Sequence, residues 1–156
     1  MISFEEIGDA TLKARVQLPA RPEKVYRAWT DPQQLVRWFR GTADGRLEIH
    51  AFDCREGGAY DVTMVSANGD RFNLVGKYLT LEPNRRIVMT WAWASAEPDP
   101  TPMQVTVDVE QNDAGSLLTL THERFASPEV RTMHHHGWAP CLQNLVGFLS
   151  HANDGA

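Results

Sequence analysis

The stretch that decides the fold is residues 127–149, SPEVRTMHHHGWAPCLQNLVGFL. Ser127 is a typical N-cap, Pro128 suits the first position of a helix, and Glu129 complements the helix dipole. From residue 130 onward, apolar and aromatic residues recur at steps of three and four, which predicts one long helix with a wide apolar stripe. The stripe consists of Val130, Met133, His134, Gly137, Trp138, Cys141, Leu142, Leu145, Phe148 and Leu149.

The middle of this predicted helix holds three consecutive histidines and a proline. Successive helical residues turn by about 100°. His135 and His136 therefore cannot share the apolar face of His134, and we expect them in solvent or at a kink. Pro140 predicts that kink, because it removes the amide that would bond the carbonyl of His136.

The start of the chain predicts one strand followed by two short helices. Residues 13–18 alternate between polar and apolar side chains, as in a half-buried strand. Pro22 suits the first turn of a helix, and the turn at 30–32 ends that helix and caps a second one. The apolar side of the second helix is predicted to contain Leu35, Val36, Trp38 and Phe39.

The middle of the chain predicts about six antiparallel strands. Alternating segments are separated by tight turns, such as Asn68-Gly69, that are typical of hairpins. The predicted strands lie within residues 47–52, 60–64, 71–81, 86–93, 103–109 and 117–122. The order β-α-α-β6-α predicts an α+β fold, in which a curved antiparallel sheet wraps around the long C-terminal helix as a single domain over residues 1–156.

The composition excludes several classes of protein. The chain has 156 residues, of which 42% are hydrophobic and 22% charged, as in one ordinary globular domain. No apolar run approaches the roughly 20 residues that cross a bilayer, and no signal-peptide pattern opens the chain. A net charge of −5 with scattered Lys and Arg argues against a nucleic-acid partner. Cys54 and Cys141 form no disulfide framework, which predicts a cytoplasmic protein with reduced thiols and no membrane partner.

Short motifs occur in a characteristic order between residues 12 and 149. They lie at 22–39, 53–58 (DCREGG), 76–78 (GKY), 90–91 (TW), 118–122 (LTLTH) and 134–138 (HHHGW). In this order they resemble the activator of heat-shock-protein-90 ATPase homologue-like family, which belongs to the START-like, Bet v 1-like helix-grip (SRPBCC) superfamily. The resemblance implies a helix-grip fold with a hydrophobic cavity between the sheet and the long helix.

Bulky rings and thioethers predict the lining of that cavity. Several indoles together are too large for a small core to close around without gaps, and methionines supply adaptable walls. The candidate cavity residues are Trp38, Phe39, Met64, Trp91, Trp93, His122, His134, Trp138, Cys141 and Leu142. The sequence thus predicts a protein that holds a small apolar or aromatic molecule, with the indoles stacking on it and His122 and His134 orienting it. An ordinary packed core is the alternative for each ring.

Two other functions stay open. His122 shares a strand face with Leu118 and Leu120, so its imidazole is predicted to face inward, where it could act as an acid or base. A cyclase- or dehydratase-type enzyme would need His122 together with Tyr60 or Glu56 around a shared void, and no catalytic residue is assigned. A chaperone- or regulator-interacting module of the heat-shock ATPase activator type would instead show an exposed apolar patch.

The remaining chemistry-bearing features predict no further site. His122, His134 and Cys141 are suitable zinc ligands, but their spacing matches no known zinc pattern, so we expect neither a metal nor a cofactor. Asp53 and Arg55 are predicted on one side of a strand, where they brace the chain before Gly57-Gly58. The proline-containing segment 94–102 is either a lid or a plain surface loop. The sequence is compatible with a monomer or a dimer.

Overall fold

The computed structural model describes residues 2–42, 44–94 and 102–154. Within these residues the chain forms eight strands and three helices. They are β1 (Ile2–Ile7), β2 (Thr11–Leu18), α1 (Pro22–Thr30), α2 (Pro32–Leu35), β3 (Arg46–Phe52), β4 (Ala59–Val65), β5 (Arg71–Glu82), β6 (Arg86–Trp93), β7 (Met103–Asn112), β8 (Gly115–Glu123) and α3 (Pro128–Asp154). The predicted α+β helix-grip order is confirmed, with one additional strand in front of it. No helix among these residues is long and apolar enough to cross a bilayer.

All eight strands belong to one curved antiparallel sheet with the order β1-β2-β8-β7-β6-β5-β4-β3. Each strand pairs with the next strand along the chain, with one exception: β2 pairs with β8 and not with β3. The connection that contains α1 and α2 therefore carries the chain from β2 to β3 at the opposite edge. The sheet is open, because both β1 and β3 have one unpaired side.

One face of the sheet is buried. The strand register places Leu12, His122, Val105 and Met89 side by side across β2, β8, β7 and β6. All four side chains are at most 5% exposed. The prediction that His122 faces inward, on the same side as Leu118 and Leu120, is confirmed.

Helix α3 contacts β1 and β2 and supplies its apolar stripe to the core. Ser127 caps it as predicted, because its Oγ accepts a hydrogen bond from the Val130 amide at 3.2 Å. Stripe residues from Trp138 to Leu149 are buried, except Phe148, which is half-buried, whereas Met133, near the start of the stripe, is 70% exposed. The helix continues through Pro140, and the kink expected there stays a prediction.

The predicted second helix was too long. Helix α2 is a single turn that ends at Leu35, so Trp38 and Phe39 lie in the irregular segment that follows it. The indole Nε1 of Trp38 donates a hydrogen bond to the carbonyl of Ala28 in α1 at 2.9 Å. This buried bond attaches the segment after α2 to α1.

Two other local predictions were wrong. Strand β1 was not predicted, because it is an edge strand whose residues are mostly exposed and whose pattern carries little apolar signal. Asp53 and Arg55 are not on a strand, since β3 ends at Phe52. They form an exposed ion pair of 2.8 Å in the turn before β4. In the expected lid segment, residues 95–101 lie outside the described residues.

Gly76 in β5 permits a close approach of neighbouring strands. A Cβ atom at this position would lie 2.2 Å from the carbonyl oxygen of Thr90 and 2.6 Å from the hydroxyl of Tyr60. That hydroxyl donates to the same Thr90 carbonyl at 2.5 Å. The glycine therefore makes room for a hydrogen bond between β4 and β6 that crosses over β5.

We expect Gly76→Ala to lower the free energy of unfolding by about 2 kcal/mol, because the methyl group overpacks this contact. Urea denaturation of the purified variant measures the change. Gly147→Ala in α3 is the matched control, since its Cβ would meet nothing within 4 Å. That control should instead gain about 0.5–1 kcal/mol from helix propensity. Equal stabilities of the two variants would contradict the close-approach explanation.

Candidate functional site

A pocket of about 140 Å³ lies between the first half of α3 and strands β4 and β6. Its walls are predominantly aromatic and sulfur-containing. They consist of Gly41, Met64, Trp91, Trp93, Met133, His134, Gly137, Trp138 and Cys141. Since an apolar cavity of about 150 Å³ accepts a benzene molecule, this volume suits one ring-sized apolar group.

Helix α3 forms one wall of the pocket through residues that share one helical face. Met133, Gly137 and Cys141 follow at intervals of four, with His134 and Trp138 beside them. A Cβ atom at Gly137 would meet no atom within 4 Å. The missing side chain of this glycine therefore leaves part of the pocket open.

Two hydrogen bonds between aromatic rings join α3 to the sheet; the one to His122 is buried and the one from Trp93 is partly buried. The Nε1–H of Trp138 donates to Nδ1 of His122 in β8, and the Nε1–H of Trp93 in β6 donates to Nε2 of His134, each at 3.0 Å. An indole nitrogen can only donate, so the accepting imidazole nitrogen carries no proton. His122 is therefore protonated on Nε2, and His134 is protonated on Nδ1, from which it donates to the carbonyl of Val130 at 2.8 Å.

Burial keeps both imidazoles neutral. It lowers the pKa of His122 well below 6.5, and the neighbouring His134 lowers it further. Burial also lowers the pKa of His134, against a smaller opposing effect of its hydrogen bond to Val130. Both nitrogens of His134 are occupied, so this residue offers the pocket only its ring surface.

Six of the ten candidate residues line the pocket. They are Met64, Trp91, Trp93, His134, Trp138 and Cys141. Four do not line it: Trp38 and Phe39 pack against Trp29, with ring centroids 4.7 and 6.3 Å apart, and Leu142 is fully buried in the core. His122 lies one layer deeper, behind rings that do line the pocket, including Trp91 at 5.2 Å. The structure thus gives His122 an indole as its partner where the sequence suggested a ligand.

Three lining residues were absent from the candidate set. Met133 and Gly137 belong to the predicted apolar stripe of α3, and their spacing of eight and four residues from Cys141 is the signal that could have identified them. Gly41 lies in an irregular segment between α2 and β3, where no periodicity indicates which residues approach the helix.

The model of the family described as activator of Hsp90 ATPase homolog 1-like protein matches residues 19–150. The chain belongs to this family. Nothing among proteins with curated descriptions matches the chain.

Solved structures of relatives have the same helix-grip fold. A protein of Chromobacterium violaceum is 28% identical, with a TM-score of 0.78 over 90% of this chain and 97% of that one. The AHSA1 protein of Silicibacter pomeroyi is 23% identical, with a TM-score of 0.77 over 90% and 98% of the two chains. A Rhodobacter sphaeroides protein is 20% identical, with a TM-score of 0.80 over 96% and 97%.

In this family member, the residues that a cyclase- or dehydratase-type enzyme would require do not line a shared space. The Tyr60 hydroxyl is engaged with Thr90, and Oε2 of Glu56 accepts a hydrogen bond from the Leu81 amide at 3.0 Å. Neither Glu56 nor His122 lines the pocket. Tyr60 lines a separate void of about 20 Å³, which neither of them lines. Within residues 2–42, 44–94 and 102–154, no three His, Cys, Asp or Glu side chains are grouped so that they could hold a metal ion. The geometry thus gives no support to acid–base chemistry at His122 or to a zinc site that includes Cys141.

We expect the protein to lose stability as the pH falls below about 6.5. The unfolded chain takes up protons at its histidines near pH 6.5, whereas the folded protein keeps His122 and His134 neutral to lower pH. The unfolded state therefore binds more protons in this window, and the free energy of unfolding decreases there, while above pH 6.5 the contribution is fully present. Urea denaturation at pH 7.5, 6.5 and 5.5 measures the trend.

His122→Gln keeps an acceptor for Trp138 but does not titrate, so its stability should depend less on pH than that of the wild type. His136→Gln, at an exposed position on the same helix as His134, is the matched control. Long-range ¹H–¹⁵N correlation spectra should place the proton on Nε2 of His122 and on Nδ1 of His134. The opposite tautomers, or doubly protonated rings at pH 6, would contradict the hydrogen-bond assignment.

Proposed function

We propose that this protein binds a small apolar molecule by seating one ring-sized group in the pocket between α3 and the sheet. The observation that carries this proposal is the composition of the pocket wall. Three indoles, two thioethers and a thiol surround a space of about 140 Å³. Burial of an apolar ligand surface contributes roughly 25 cal/mol per Å², less the cost of association.

The wall supports an uncharged ligand. None of its residues is Asp, Glu, Lys or Arg, and its one imidazole is held neutral. A charged group placed there would lose its hydration without gaining a partner, which is strongly unfavourable. Recognition therefore depends mainly on shape and on contact with aromatic surfaces, with Nε1–H of Trp91 as a buried donor that has no partner among the described residues.

The indoles present surfaces that suit a flat ring. The rings of Trp91 and Trp138 lie 5.2 Å apart at 38°, and those of Trp91 and Trp93 lie 5.7 Å apart at 90°. The ligand can thus meet both ring faces and ring edges, the two arrangements that aromatic pairs prefer. Met64 and Met133 line the remaining space with flexible side chains that adapt to a ligand's outline.

Titration with fluorobenzene, followed by ¹⁹F NMR, tests the proposal. The wild type should bind one equivalent in a saturable manner. Gly137→Leu should weaken binding at least tenfold, because the new side chain enters the pocket from a position where nothing opposes it. The variant should remain folded, since leucine is a better helix former than glycine.

Gly147→Leu is the matched control, because this glycine lies on the same helix, has the same free space around its Cα and does not line the pocket. It should bind fluorobenzene as the wild type does. Absence of saturable binding to the wild type, or equal binding by the two leucine variants, would overturn the proposed function.

A further inference from the structure

One hydrogen-bond donor in the pocket wall has no partner. The wall contains three indoles, and those of Trp93 and Trp138 donate to imidazoles of the protein. Nε1 of the third indole, Trp91, is buried and has no partner among the residues that the structure describes. Trp91 as a whole is 3% exposed, so bulk solvent does not supply the missing acceptor.

The position of this donor distinguishes it from the other unpaired ring nitrogens. In the described part of the chain, Nε1 of Trp29 and Nε2 of His122 are also buried without a partner. Neither of these residues lines the pocket. Buried polar groups in native proteins are nearly always paired, so each exception calls for an explanation. At Trp91 the unpaired donor coincides with a space for a ligand.

The other side chains of the wall make an acceptor the complementary group. An indole N–H can only donate. Both nitrogens of His134 are engaged, and the thioethers of Met64 and Met133 are weak acceptors. Burial raises the pKa of Cys141 to about 12, so its thiol stays neutral and bonds weakly. The wall side chains thus offer a ligand one strong donor and no strong acceptor.

We propose that the ligand is an uncharged ring that carries a hydrogen-bond acceptor, such as a carbonyl oxygen, and that this acceptor pairs with Nε1–H of Trp91. This inference rests on the proposed function and adds the chemical class of the ligand. The bond satisfies a donor that folding leaves unpaired in apolar surroundings, so it favours binding more than the same bond at the protein surface would.

A water molecule is the competing partner for this donor. Trp91 also lines the separate void of about 20 Å³, together with Trp29. That void has the space of one water molecule, which could accept hydrogen bonds from buried indoles. The two assignments differ in what a ligand does. An acceptor on the ligand changes the hydrogen bonding of the Trp91 N–H, whereas a water in the void leaves it the same for every ligand.

Two probes of nearly the same shape isolate the hydrogen bond. 4-Fluoroacetophenone has a carbonyl oxygen where 4-fluoro-α-methylstyrene has a methylene group. ¹H–¹⁵N spectra of the wild type report on the indole N–H groups directly. Compared with the alkene, the ketone should move the Nε1 proton of Trp91 downfield and slow its exchange with solvent. This comparison needs no variant, so it stands even if a Trp91 substitution does not fold.

Affinities of the two probes, measured by ¹⁹F NMR titration, give the energetic test. Trp91→Phe keeps an aromatic ring and removes the donor, so the ratio of ketone affinity to alkene affinity should fall about tenfold. Trp29→Phe is the matched control, because it removes the other buried, unpartnered indole N–H, which lies outside the pocket wall. It should leave the ratio unchanged. The use of a ratio cancels the different hydration of the two probes.

The acceptor class is overturned if the Trp91 N–H responds alike to both probes, or if Trp91→Phe and Trp29→Phe give the same affinity ratio. It is also overturned if the wild type binds fluorobenzene but not the ketone. In these cases the proposed function survives, provided that fluorobenzene binds saturably and Gly137→Leu blocks it. If the wild type binds neither fluorobenzene nor the two probes, both the proposed function and the acceptor class fail.

Discussion

The way α3 sits on the sheet depends on two hydrogen bonds between aromatic rings. His134 and Trp138 are one helical turn apart on α3, and each bonds to a ring of the sheet, Trp93 in β6 and His122 in β8. A buried indole N–H left unpaired costs about 1–3 kcal/mol, so the Trp138–His122 bond in particular resists rotation of the helix about its axis, and the partly buried Trp93–His134 bond adds to it. Because that rotation is fixed, Met133, Gly137 and Cys141 must face the same side of the sheet, and this is where the pocket lies.

The pocket exists because large rigid rings meet a helix position without a side chain. Phe39 contacts four indoles, those of Trp29, Trp38, Trp91 and Trp138, with centroid separations between 5.5 and 6.3 Å. Two of these pairs are edge to face and two are tilted, and rings packed in this way cannot spread into the space next to Gly137. Farther along the helix, aliphatic side chains such as Leu145 and Leu149 fill the interior, and their exposure of at most 1% shows that the core closes there.

Periodicity in the sequence was sufficient to predict the fold and the helical wall of the pocket. The stripe of α3 and the alternation in β8 correctly predicted which faces are buried, because these elements are long and amphipathic. The same reasoning missed β1, an edge strand, and overextended α2, which ends at Leu35 before Trp38 bonds back to Ala28.

For the site, a pattern indicates which face a side chain occupies but not how deep it lies. Trp38 and Leu142 face inward as expected, yet both are enclosed by the core and lie away from the pocket. His122 also faces inward, but its bond to Trp138 joins residues 16 positions apart, and no local pattern specifies such a partner. The sequence therefore identified the right kinds of side chains and could not say which of their polar atoms were already engaged.

Whether the polar atoms of the pocket wall are already hydrogen-bonded within the protein determines how the proposed site could select a ligand. A site that hydrogen-bonds its ligand rejects analogues by large factors, whereas one methylene in an apolar pocket changes binding by only about 1–3 kcal/mol. Here the side-chain nitrogens of Trp93, Trp138 and His134 are hydrogen-bonded within the protein, where they hold α3 on the sheet. They are therefore not free to bond to functional groups of a ligand. Nε1 of Trp91, which also lines the pocket, is different: it is buried and has no hydrogen-bond partner within the described part of the chain. In the proposed function, size and shape are therefore the main means of discrimination, with this indole N–H as an additional donor. In the proposed function, the aromatic and sulfur-containing side chains of the pocket wall then have more influence on the choice of ligand than either histidine.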